Sequence, residues 1–247
     1  MKDPNFSIGG NLDSALKGEY QLHVKEIIQE GWALTKQGKS VILLGVLIVM
    51  LVAFVCTSIA FTVLGTYDLN EFSSSQRFLL DISLTVLISP FIAAITMAGV
   101  SNSIGAVSQS SFLFHFVPRI VVLSVASVLV SAVVQLGILL LVLPGLFLAM
   151  ATSFTIPLLL DKGLTPARAM MISIKVVSVK WLDFAKIYGL FSLFGLLAVV
   201  TLGIALIWIV PFYFNVKGIL YREVFGIQMK VLPVGTGKLR ADNIFHA

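Results

Sequence analysis

Forty-one consecutive residues, 120–160, hold no charged side chain. As one straight helix they would extend about 60 Å, at 1.5 Å per residue. The hydrocarbon core of a bilayer is about 30 Å thick. The run is twice too long for one crossing, so it has to fold back on itself. Leu143-Pro144-Gly145 is the expected break, because Pro and Gly interrupt helices most strongly. That division predicts spans over 120–142 and 145–160.

The rest of the chain follows the same pattern. Of its 247 residues, 58% are hydrophobic and 12% charged, and the mean hydropathy is +1.01. Soluble domains carry about 25% charged residues. A first apolar run covers 41–64 without a charge, and a second covers 82–100. Pro90 is expected to kink the second, which membrane helices tolerate. Ala94 and Ala98 give it a small-xxx-small face for a close neighbour. The last apolar stretch, 184–221, is again too long for one crossing. A turn at Leu202-Gly203 divides it into 184–201 and 204–221. The rival division is one span ending at Pro211 and an interfacial segment over 212–225.

The expectation is therefore an all-α, polytopic membrane protein with six transmembrane helices, arranged as three hairpins. A more polar stretch (22–39, 101–119, 165–183) precedes each hairpin. In the first of these, Val24, Ile27, Ile28 and Trp32 recur at helical spacing among charged residues. That pattern predicts an amphipathic helix lying in the headgroup layer. Thr165-Pro166 reads as a cap followed by a helix start. The membrane domain is expected over 22–226, with flexible tails over 1–21 and 227–247.

With six spans, sixteen Lys and Arg residues fall on the side of the termini and only Arg77 on the other. Basic loops face the cytoplasm, so both termini are expected inside. With five spans the bias weakens to eleven against six. The net charge of +5 has the same origin. The basic residues flank apolar segments and are not interleaved with exposed aromatics, which excludes a nucleic-acid partner.

Signs of chemistry are sparse. Asp81, Asp161, Asp183, Lys186 and Lys217 all fall near expected span ends, where they read as interfacial anchors. Ser124, Ser127, Ser131 and Gln135 recur three, four and four residues apart, so they share one helical face. Such a stripe lines a hydrophilic path or bonds to a neighbouring helix, and the second is the commoner use. Asn215 invites the same two readings. His23, His115 and His246 lie far apart, with no partner at metal-ligand spacing. Cys56 is alone. No phosphate loop, nucleophile elbow or HExxH motif occurs. No cofactor or metal is expected.

One stretch resembles a known family. Gln135-Leu-Gly-Ile-Leu-Leu-Leu-Val-Leu-Pro144-Gly145, then Pro157, Asp161-Lys162, a helix from Pro166 and Trp181 resemble the YciC-like bacterial inner-membrane proteins. The likeness covers about 135–185. It implies a multi-span inner-membrane protein and brings no catalytic residues. Related membrane domains occur fused to lipid-headgroup phosphodiesterases, which points to envelope or lipid work. The resulting expectation is a non-enzymatic protein, structural or regulatory in envelope or lipid homeostasis. The alternative is a small-solute or lipid transporter or channel. Membrane lipids are the expected partners, with other membrane proteins or a second copy as further candidates.

Overall fold

The computed structural model describes residues 5–230 and 241–244. The order of elements is β1 (Asn5–Ile8), α1 (Leu12–Lys17), α2 (Val24–Gln37), α3 (Ser40–Leu64), α4 (Ser74–Ser103), α5 (Ile120–Leu140), α6 (Val142–Ala151), α7 (Thr155–Lys162), α8 (Pro166–Val179), α9 (Trp181–Val200), α10 (Leu206–Phe225), β2 (Ile227–Lys230) and α11 (Ala241–Ile244). Five stretches are long and apolar enough to cross a membrane: Ser40–Leu64, Ser74–Ser103, Ser110–Leu140, Val142–Lys162 and Trp181–Val200. The chain is a polytopic helical membrane protein. The helix α10 covers the sixth expected span but carries Lys217, Arg222 and Glu223 in its second half, so it falls outside that set of five.

The outer faces of these helices are apolar. On α3, Leu47, Phe54 and Val63 are 62%, 70% and 77% exposed. Soluble monomers rarely expose contiguous apolar patches of this kind, whereas hydrocarbon solvates them. Gly65, at a positive φ of 68°, ends α3 and donates its N–H to the Phe61 carbonyl. Ser73 and Gln76 form a reciprocal capping box at the start of α4. The thirty residues of α4 make a helix of about 45 Å, longer than the hydrocarbon core. Its last third, from Ala93 to Ser103, is almost wholly buried by other elements.

Pro90 does not interrupt α4, which runs unbroken from Ser74 to Ser103. A proline has no N–H for the carbonyl four residues back, here that of Val86. The Ser89 hydroxyl takes that acceptor at 2.9 Å. The tightest approach in the bundle joins α4 to α10. A methyl group on Gly99 would lie 2.1 Å from the Phe214 carbonyl oxygen, and one on Gly218 would lie 2.1 Å from that of Gly99.

The expected break at 143–145 moves to Leu141, which is extended (φ −162°, ψ 147°). Pro144 instead occupies the third position of α6, where a missing N–H is harmless because first-turn donors have no helical partner. Gly145 serves the contact between α5 and α6: a methyl there would sit 2.6 Å from the Ile138 backbone nitrogen. The expected span 145–160 is present within Val142–Lys162, but as two helices and not one. Thr152, Ser153 and Phe154 separate α6 from α7. Ser173 on α8 repairs this gap, donating to the Ala151 carbonyl at 2.5 Å and accepting from the Phe154 N–H at 3.2 Å. The expected turn at Leu202-Gly203 is present, with φ of 50° and 87°.

The two expected flexible tails also differ. The segment 1–21 contains β1 and α1, and 227–247 contains β2 and α11. The strands β1 and β2 pair antiparallel, Ile8 opposite Ile227. Both ends of the described chain therefore lie on one side of the bundle. Residues 1–4, 231–240 and 245–247, His246 among them, lie outside the described residues.

Candidate functional site

The strongest concentration of polar contacts is a cap at one end of the bundle, built around the C-terminal half of α10. Arg222 grips Glu30 of α2 at two points, Nη1 to Oε1 at 2.7 Å and Nη2 to Oε2 at 2.9 Å. The same guanidinium holds Glu223 and donates to the Ser103 carbonyl at the end of α4. Tyr221 donates to Asp161 Oδ2 at 2.7 Å. Lys162 pairs with Asp161 at 3.0 Å and donates to the Gly226 carbonyl at 2.8 Å. Gly10 N–H bonds to the Arg222 carbonyl, and Ala241 N–H to that of Val107. Four segments far apart in sequence thus meet at this end: the N-terminal stretch, residues 101–119, residues 161–183 and the C-terminal stretch. Among the described residues, the connections at 65–73, 141 and 201–205 hydrogen-bond only locally.

Tyr20 extends the cap towards α8. It donates to the Val176 carbonyl at 2.8 Å, and the Lys180 ammonium reaches the Tyr20 carbonyl. Burial, reinforced by the charge of Asp183, pushes the Tyr20 phenol up to about 12.

The polar stripe does not form a common lining. Ser124 is buried against α4, 3.1 Å from Ser89 Oγ, and donates to its own Ile120 carbonyl at 2.7 Å. Ser127 is half-buried. Gln135 is exposed and donates to Ser131 on its own helix at 3.1 Å. Asn215 is elsewhere, fully buried on α10. It accepts from Asn102 of α4 at 2.8 Å and donates to Thr35 of α2 at 3.0 Å. Each of these bonds either ties helices together or stays within one.

Several cap residues carried no local signal. Glu30 and Arg222 are 192 positions apart, and nothing near either one announces the other. Asp161-Lys162 was visible only as a polar turn. Lys217 sits half-buried on α10, its ammonium 6.0 Å from the Tyr213 ring. Among the described residues no carboxylate lies within ion-pair distance of it.

A second feature is a cleft of about 470 Å³ where α2 faces the α9–α10 hairpin. Its walls include Ile28, Trp32, Phe194, Leu197, Trp208 and Phe212. The two indoles pack at 5.8 Å, and Phe212 meets Trp32 edge-on at 5.7 Å. The expected amphipathic helix is thus present as α2. Its buried residues Ile27, Gly31 and Thr35 turn inward, and Gly31 lies against Val216 and Phe212 of α10. No group of three metal-ligating side chains occurs among the described residues. No family model, curated protein or solved structure matches the chain.

Proposed function

We propose that this chain is a non-enzymatic protein of the bacterial inner membrane with a structural or regulatory role in envelope or lipid homeostasis. The destination of the buried polar side chains carries this reading. Ser89, Ser124, Ser173, Asn102 and Asn215 bond to backbone, to one another or to Thr35. A solute path needs such groups facing a shared space, and the stripe that suggested transport faces α4 at one end and the exterior at the other. What the exterior offers is an apolar coat with an apolar cleft in it.

The bacterial inner membrane is supported by the resemblance of residues 135–185 to the YciC-like proteins, and by those residues alone. Cytoplasmic termini are supported by the Lys/Arg bias and by the meeting of four distant segments at one end. Lys39, at the start of α3, lies 3.1 Å from the ring centroid of Trp208, only five residues from the turn at Gly203. The α9–α10 hairpin is therefore read as entering the bilayer from the cytoplasmic side, in place of the fifth and sixth expected crossings. Reporter fusions after residues 72 and 144 are then expected outside, and one after 235 inside. An outside signal at 235 overturns the cytoplasmic placement of both termini. The functional reading is tested by isolating the protein in native-lipid particles and identifying co-purifying lipids and proteins by mass spectrometry. Enrichment of particular lipids over the bulk membrane supports it. No enriched lipid or partner overturns it.

A further inference from the structure

We propose that the cleft between α2 and the α9–α10 hairpin holds one phospholipid with an anionic headgroup. Its acyl chain lies against Phe194 and Leu197, and its phosphate sits beside Lys36 and Lys39. The proposal rests on reading the chain as a lipid-embedded protein and names the lipid class.

Three observations combine. The first is the cleft itself, whose 470 Å³ falls in the usual range of ligand sites, about 300–1,000 Å³. Its walls are aliphatic and aromatic, so an occupant gains contact there through hydrocarbon and finds almost nothing to hydrogen-bond. The second is the Trp32–Trp208 pair in its wall. Tryptophan favours the headgroup level of a bilayer, and Lys39 directly precedes the uncharged span α3. The pair therefore marks the depth at which a headgroup would meet the cleft.

The third observation is the charge at that depth. Lys39 Nζ lies 3.1 Å from the Trp208 ring centroid, and Lys36 Nζ lies 5.5 Å from that of Trp32. Neither ammonium has a carboxylate within ion-pair distance among the described residues, whereas Lys162, Lys186 and Arg222 each do. A general cytoplasmic excess of lysine does not require two of them on the two rings that wall one cleft. Two cations with no carboxylate partner among the described residues, seated on two rings that wall an apolar cleft, complement a negative charge attached to a hydrocarbon chain. A zwitterionic headgroup fits less well, because it brings its own cation to the lysines.

The cleft contains its own reporters, since Trp32 and Trp208 are two of three tryptophans. The variant W181F leaves only those two. It would be reconstituted in phosphatidylcholine vesicles containing a low mole fraction of brominated-chain phosphatidylglycerol or, in parallel, brominated-chain phosphatidylcholine. Bromine quenches indole fluorescence on contact. A lysine near a membrane surface favours an anionic lipid by about fivefold, so the anionic quencher is expected to act several-fold more strongly. In W181F/K36Q/K39Q, with helix content checked by circular dichroism, the two quenchers should become equal. Equal, strong quenching in W181F overturns the anionic assignment and leaves a lipid cleft. Weak quenching by both overturns lipid occupancy, and a cross-linked dimer would then name a second copy as occupant. The topology reporters do not depend on these lysines, so failure of the membrane reading remains separately visible.

Discussion

Arg222 and Glu30 face each other in parallel, with two N–H···O contacts of 2.7 and 2.9 Å joining the end of α10 to the amphipathic helix α2. The guanidinium is largely buried while Glu30 is 39% exposed, so water competes for the carboxylate more than for the arginine. Arg222 also serves Glu223 and the Ser103 carbonyl. R222Q is therefore expected to cost more stability than E30Q. Hydrogen bonds to charged groups contribute about 1.5–3 kcal/mol, and solvent screening lowers the share of the exposed partner. Unfolding of both single variants and the double variant in detergent checks this. A coupling of about 1 kcal/mol is expected for the pair, and equal losses with no coupling would sink the idea.

The serines around Pro90 make a second case. Ser89 occupies the Val86 carbonyl that Pro90 cannot. Replacing the proline restores the backbone donor, so S89A should cost more while Pro90 is present than without it. The loss expected in the native background is about 0.6 kcal/mol, the average for hydrogen bonds between membrane side chains. In a P90A background it should shrink to the share of the 3.1 Å contact with Ser124. An S89A loss undiminished in P90A would mean that Ser89 acts through Ser124 and not through the Val86 carbonyl.

These serines also show why some of the architecture was legible in advance and some was not. Length and hydropathy demanded that 120–160 fold back, because no bilayer accommodates a straight helix of that size. They did not locate the turn. Pro144 and Gly145 satisfy two separate demands, a proline in a first helical turn and a methyl-free contact with Ile138, and neither demand is a turn. The gap at 152–154 had no signal, because Ser173 stabilises it from a different helix. The tails looked unstructured for a similar reason: β1 finds its partner about 220 residues later in β2. Of the expected site residues, Asn215 was visible as a polar residue in an apolar stretch, but only the fold reveals its partners Asn102 and Thr35. Periodicity reports which residues share a face. It does not report what that face meets.

The contact between Gly99 and Gly218 leads to a third test. Backbones approach here so closely that a methyl on Gly218 would stand 2.1 Å from the Gly99 oxygen. Small residues let membrane helices pack in this way, and overpacking usually costs about 1–3 kcal/mol. G218A is expected to fall in or above that range. A like change at Gly189, where an added methyl meets nothing within 4 Å, should be neutral or slightly favourable, since Ala is the better helix former. Thermal unfolding in one detergent compares them, and equal stability of G218A and G189A would remove the close contact from the account.

Tyr20 gives the cap a pH dependence with a definite sign. Its phenol, bonded to the Val176 carbonyl, is pushed up to about 12 from an ordinary 10.0 by burial and by the charge of Asp183. Folding thus favours the neutral phenol. Its contribution is fully present below the unfolded value, near 10, and is lost as pH rises through the folded one, near 12. Y20F removes both the hydrogen bond and the titration. At neutral pH it should cost about 0.5–1.5 kcal/mol, as for a neutral hydrogen bond. Between pH 10 and 12 the native protein is expected to lose stability faster than Y20F, so their difference narrows. Lys180, which bonds to the Tyr20 carbonyl, is common to both proteins and largely cancels in that difference. Circular dichroism of unfolding across this range measures it, and a gap that stays constant up to pH 12 would show that Tyr20 is not held neutral by its burial.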